Sequence, residues 1–195
     1  MIMYMYKKIC VTNRHLVQGS LCDRLERILN SDILKSDKKP DIVILREKDM
    51  SETEYIDLSR KVIDICDKSG TLCILHYFKN VAISIGYRAI HMPLDAFEVM
   101  TENEKLNFDV IGVSVHSVND ALNAERKGAS YVTAGHVFAT DCKKGLEPRG
   151  LKFLREVCVA VRIPVYAIGG IEDKNAGLCI EAGASGVCMM SGWMK

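Results

Sequence analysis

Short apolar runs alternate with longer stretches of helical periodicity along the chain. The runs are Ile9–Thr12, Ile42–Leu45, Thr71–Leu75, Ala89–Met92, Val110–Val115, Tyr131–Ala134, Pro164–Ile168 and Gly186–Met190. Several are rich in β-branched residues and apolar at consecutive positions, as strands covered on both faces of a parallel sheet are. Between them, Glu52–Lys68, Val118–Lys127, Gly150–Val161 and Asp173–Ala182 predict helices. Ser117 and Asp173 have the side chains of helix starts. Gly70, Gly128 and Gly183 stand just past predicted helix ends, where a left-handed residue closes the last turn.

Strands that alternate with helices pair in parallel, either in an open doubly wound sheet or in a closed barrel. Eight such units favour a (β/α)8 TIM barrel. At 195 residues it must be a compact one with short loops, since such barrels usually run to ~250 residues. Only Ser191–Lys195 follow the eighth run, so the final helix is predicted to be reduced or missing. Another element, or a second copy in a homo-oligomer, would then cover the strand it leaves bare. With no linker or low-complexity tract, residues 1–195 read as one domain.

Composition narrows the class of partner. Lys plus Arg number 26 against 25 Asp plus Glu, a net charge of +1, so nothing electrostatic draws the chain to nucleic acid or an anionic membrane. Its longest uncharged runs, Gly128–Thr140 and Ala182–Met194, fall short of the ~20 residues that span a bilayer. Met1–Tyr6 is apolar, but Lys7 and Lys8 interrupt it and no signal-peptide cleavage site follows. The eight cysteines are scattered singly, as buried thiols of a reducing compartment are, with Cys142 the one expected at the surface. No His or Cys spacing matches a zinc site. The expectation is a cytoplasmic protein acting on a small molecule.

In a barrel, chemistry gathers at the C-terminal ends of the strands. Those ends carry Asn13-Arg14, Arg46-Glu47-Lys48, His76, His116-Ser117, Gly135-His136, Gly169-Gly170 and Ser191-Gly192. Glycines and a serine after strands seven and eight either permit tight turns or let backbone N–H groups approach a phosphate, and their order favours a phosphate. Arg46 and Lys48 share one side of strand two with Glu47 opposed, which suits a carboxylate or phosphate. The segment Gly135–Gly145 reads as a lid with His136 at its root and Lys143 and Lys144 near its tip. His136 is either structural or an acid–base group; His116 is either a satisfied polar residue or a second functional imidazole.

Several of these segments together resemble the thiamine phosphate synthase/TenI superfamily over essentially the whole chain. The matching marks are Leu45-Arg46-Glu47-Lys48, Ile90-His91-Met92-Pro93, Gly112-Val113-Ser114-Val115-His116-Ser117, the Gly135–Gly145 loop, Ile168-Gly169-Gly170-Ile171 and Ala182-Gly183-Ala184. The resemblance implies a compact (β/α)8 barrel that binds a thiazole phosphate. Its synthase branch joins a pyrimidine pyrophosphate to the thiazole phosphate and uses Mg²⁺ held by acidic residues after strands three and four. Here His76-Tyr77 stands at the first position, and Asp95 is the only acid at the second, with Ala96 in the expected ligand place.

The Gly135-His136-Val137-Phe138 and Thr140–Glu147 segments, with Pro93, Phe97 and Arg149-Gly150, are instead similar to the tautomerase (TenI) branch. That likeness implies a cofactor-free isomerase aromatising a carboxythiazole phosphate, with His136 moving the proton. Arg46, Lys48, His116, Thr140, Lys143, Gly169, Gly170, Ser191 and Gly192 would surround the substrate. The expectation is therefore a tautomerase, with a Mg²⁺-using synthase or a non-catalytic phosphate-binding barrel as alternatives.

Overall fold

In the computed structural model, which describes residues 6–30 and 39–195, every one of the eight apolar runs is a strand. They are β1 (Lys7–Val11), β2 (Ile42–Leu45), β3 (Leu72–His76), β4 (Ala89–Pro93), β5 (Val110–Val115), β6 (Tyr131–Gly135), β7 (Val165–Ile168) and β8 (Gly186–Met189). Each pairs in parallel with the next, and β8 closes on β1, where Ile9 lies between Ile42 and Cys188. The expected TIM barrel is the fold. Residues 1–5, most of the apolar opening read above against a signal peptide, lie outside the described residues.

Strand parity sorts the apolar residues into two clusters. Ile9, Val11, Ile42, Ile44, Ile74, Tyr131, Tyr166 and Cys188 pack together within the barrel. The alternate residues Cys10, Val43, Leu45, Cys73, Leu75, Ile90, Val113 and Val132 pack outward in a larger cluster against the helices. This two-sided burial explains the unbroken apolar runs. Cys10, Cys66, Cys73, Cys179 and Cys188 are buried, as expected of them. The Cys142 side chain lies outside the described residues.

The helices are α1 (Leu21–Leu29), α2 (Glu52–Lys68), α3 (Lys79–Ser84), α4 (Leu94–Glu98), α5 (Glu102–Lys105), α6 (Val118–Arg126), α7 (Gly150–Ala160), α8 (Asp173–Glu181) and α9 (Ser191–Met194). Ser51 opens α2 through a capping box with Glu54, and the Ser117 hydroxyl accepts the Asp120 N–H at 3.0 Å to open α6. At α8 the cap is Glu172, one residue before the expected Asp173, because Glu172 and Asn175 satisfy one another's backbone N–H groups. Gly70 and Gly128 have φ of +66° and +91°, so both close their helices in the left-handed region.

The reduced last helix is a single turn. Trp193 and Met194 are buried, and Arg24 of α1 donates to the Trp193 carbonyl at 2.6 Å and the Lys195 carbonyl at 2.5 Å. The expected shortening is thus accompanied by a tether to α1. No helix of the described residues is long and apolar enough to cross a membrane.

Candidate active site at the barrel mouth

β2 stops at Leu45, so Arg46 and Lys48 stand just past the strand rather than on it. Their alternation persists because Glu47 is anchored the other way. Its buried carboxylate accepts the Thr12 hydroxyl at 2.7 Å, the Arg14 N–H at 3.1 Å and the Arg14 guanidinium at 3.2 Å. Arg14 forks onto Asp49 through two 2.7 Å bonds, and His15 meets the same carboxylate at 2.8 Å. The Thr12 hydroxyl also accepts the Arg46 N–H at 2.9 Å. This network ties the ends of β1 and β2 together.

The Lys48 ammonium lies 5.9 Å from the centre of the Tyr77 ring. Partial burial pushes its pKa below the ordinary lysine value, the charges of Arg46 and Lys143 push the same way, and Asp95 opposes them. Arg46 and Lys143 are thus both near enough to act on the charge of Lys48.

Two imidazoles stand on β3 and β4. His76 follows the inward parity of Ile74, His91 that of Ala89, and their rings stack with centres 5.6 Å apart. Both are buried. His91 meets the Tyr131 hydroxyl at 2.9 Å and the Ser114 hydroxyl at 2.8 Å, whereas Nδ1 of His76 has no hydrogen-bond partner among the described residues. Gly112 makes room for this layer: a Cβ there would lie 2.0 Å from the Tyr131 ring and 2.5 Å from the His91 ring. Strand parity applied to His76, His91 and Ser114 would have put them inside.

Burial drives both imidazoles toward the neutral form, His91 down to about 3 and His76 well below 6.5. The unfolded chain therefore takes up protons first as the pH falls. The stabilisation from keeping these rings neutral is whole above pH 6.5 and drains away toward about 3. Each imidazole should cost up to about 1.4 kcal/mol per pH unit in that window. Urea midpoints measured between pH ~7 and ~5 should fall accordingly; a flat series would show that the rings are not buried as described.

The loop after β6 is bound to the end of β7. Val137 donates to the Ile168 carbonyl at 2.9 Å and Phe138 to the Gly169 carbonyl at 3.0 Å. Gly169 (φ +102°) and Gly170 (φ +65°) permit this approach: added Cβ atoms would lie 2.3 Å from the His136 Cβ and 2.3 Å from the Ala139 carbonyl oxygen. The half-buried His136 turns Nε2 to the Leu146 carbonyl of its own loop, at 3.3 Å. His116 braces the root of that loop, its Nδ1 lying 2.8 Å from the Gly135 carbonyl. Thr140 accepts the Lys143 N–H at 3.0 Å in the turn that presents Lys143. Ser191 and Gly192 are exposed at the start of α9, just past β8, the strand beside β7.

A closed parallel barrel of eight strands with a glycine turn after β7 defines the class of (β/α)8 proteins. More specifically, the chain belongs to the thiamine monophosphate synthase (TMP-TENI) family, whose profile matches residues 9–193. It is 32% identical over 189 residues to the thiamine-phosphate synthase of Clostridium acetobutylicum, covering 96% of this chain and 86% of that relative. The thiamine-phosphate synthase of Clostridium tetani is 30% identical over 186 residues, covering 93% and 84%. The solved structure of thiamine phosphate pyrophosphorylase from Pyrococcus furiosus superposes with a TM-score of 0.77 at 26% identity, over 95% of this chain and 86% of that one.

These relatives overturn the isomerase reading: they are synthases, which are transferases, and the tautomerase assignment with its TenI branch gives way to the synthase alternative. That reading leaned on the loop after β6. Its glycine-flanked root is explained by the packing of His136 and Ala139 against Gly169 and Gly170, so the motif does not single out proton transfer. The role of His136 as a proton shuttle falls with it.

Proposed function

We propose that the chain is a thiamine-phosphate-synthase-type transferase, acting on small phosphorylated partners. In that reaction the C–O bond to a pyrimidine's diphosphate breaks, the electron pair leaves on pyrophosphate, and the carbon forms its new bond to a thiazole phosphate. The observation that carries this reading is likeness along nearly the whole chain to relatives named for this reaction, with Arg46 and Lys48 just past the end of β2 at the barrel mouth.

The residues divide the work by charge. Arg46, Lys48 and Lys143 meet the diphosphate and stabilise the negative charge that grows on it as the bond breaks. Backbone N–H groups at Gly169-Gly170 and at Ser191-Gly192 receive the thiazole phosphate. His76, His91 and Ser114 form the polar floor on which the rings lie, and His116 keeps the β6 loop in place through Gly135. Gathering both substrates on one mouth replaces a bimolecular encounter with an oriented one.

The synthase reading implies Mg²⁺, but the donors at the mouth do not fit that ion well. Mg²⁺ demands oxygen ligands in near-octahedral geometry. Tyr77 stands where an acid is expected, and Asp95 accepts its neighbour Ala96's N–H at 2.9 Å. Among the described residues no group of three or more His, Cys, Asp or Glu is arranged to hold a metal ion.

A pyrophosphate-release assay with a hydroxymethylpyrimidine diphosphate and a thiazole phosphate tests the reading. Release that needs both substrates is expected. Release from neither, with both still bound, would make this a binding protein on the same barrel.

A further inference from the structure

We propose that Tyr55 is a positioning residue of the site, a phenol carried by α2 that sets the peptide units from which Arg46 and His76 enter the barrel mouth. The proposal rests on the transferase reading above and concerns what holds Arg46 in place for that reaction.

Tyr55 is the fourth residue of α2, on the buried stripe with Ser59, Val62 and Cys66, and none of it is exposed. A phenylalanine would fill nearly the same space. What tyrosine adds is an oxygen, which is costly to bury unless it is hydrogen-bonded. Here the hydroxyl bonds twice, each time to the backbone at the top of a strand: it donates to the Leu45 carbonyl at 2.6 Å and accepts the His76 N–H at 2.9 Å. Burial pushes the phenol's pKa up, so it keeps the proton that the first bond needs. Its ring packs against that of Phe78, with centres 4.4 Å apart, which restrains where the hydroxyl points.

These two bonds fall at the last pair of the β2–β3 register, Leu45 with Leu75. The Leu45 carbonyl belongs to the same peptide unit as the Arg46 N–H, and that N–H is held by the Thr12 hydroxyl at 2.9 Å. One peptide plane is thus gripped on both edges by side chains, Thr12 from the end of β1 and Tyr55 from α2. Arg46 leaves the chain from this plane, which cannot tilt without straining one bond or the other. The same oxygen holds the first atom of His76, so the tops of β2 and β3 are set against each other by a group outside both strands. A misplacement of ~1 Å at a reacting centre can cost up to about 100-fold in rate, so such a brace has a kinetic consequence.

Tyr55→Phe keeps the ring against Phe78 and removes only the oxygen. The pyrophosphate-release assay should then show kcat/KM about tenfold lower, with the loss in kcat. In an Arg46→Ala chain the same change should cost less than about twofold, because the residue it positions is gone. Equal losses in the two backgrounds would mark a merely structural role and overturn the proposal, as would an unchanged kcat/KM. Backbone hydrogen exchange read by NMR tests the brace without substrate. The Arg46 and His76 amides should exchange about tenfold faster in Tyr55→Phe, while those of Val113 and Val132 keep their rates. Unchanged exchange at Arg46 and His76 overturns the proposal whether or not the native chain turns over. A native chain that releases no pyrophosphate, with those two amides loosened in the variant, would sink the transferase reading and leave the brace standing.

Discussion

Replacing Arg46 by alanine is expected to lower kcat/KM for pyrophosphate release by about 100-fold, close to 3 kcal/mol of transition-state stabilisation. Arg46 is half-buried, and its backbone is pinned by Thr12, so its guanidinium works from a fixed base near the charges of Lys48 and Lys143. A charge-assisted bond to a phosphate oxygen contributes about 1.5–3 kcal/mol, and more when the charge grows during the reaction. The loss should appear in kcat as well as KM. Arg46→Lys should recover only part of it, since an ammonium lacks the planar fork. Steady-state kinetics with each substrate varied in turn would measure this; an unchanged kcat/KM would remove Arg46 from the site.

Gly169→Ala should destabilise the fold by about 3 kcal/mol or more. Its Cβ would stand 2.3 Å from the His136 Cβ and 2.7 Å from the His136 Cα, neither of which is the free end of a flexible side chain. Overpacking of this kind costs ~1–3 kcal/mol, and φ of +102° adds roughly 1–2 kcal/mol for a residue with a Cβ. Urea unfolding should show a lower midpoint at an unchanged slope. If alanine weakened substrate binding and left the midpoint alone, Gly169 would serve the phosphate and not the loop.

Much of the barrel was legible because strands buried on both faces leave unbroken apolar runs, and Ile42–Leu45 and Val110–Val115 emerge with the same bounds. The cations at 46, 48 and 143 were legible through alternation and loop position. His76 and His91 were not, because a lone histidine in an apolar strand looks like filler until neighbouring parities show which side it faces. The reaction was misread for a related reason. Residues after β3 and β4 that do not fit a metal were given more weight than likeness along the whole chain, and a loop whose root is shaped by packing against Gly169 and Gly170 was read as chemistry.

The separation of the two apolar clusters has an evolutionary side. Residues that meet the ligand hang from the inner cluster or from turns beyond it, while helix docking depends on the outer one. A lineage can exchange residues at 76, 77 or 96 with little disturbance to what encloses the barrel. Ligand preference in such a fold can drift one substitution at a time while the architecture shared with its relatives stays the same.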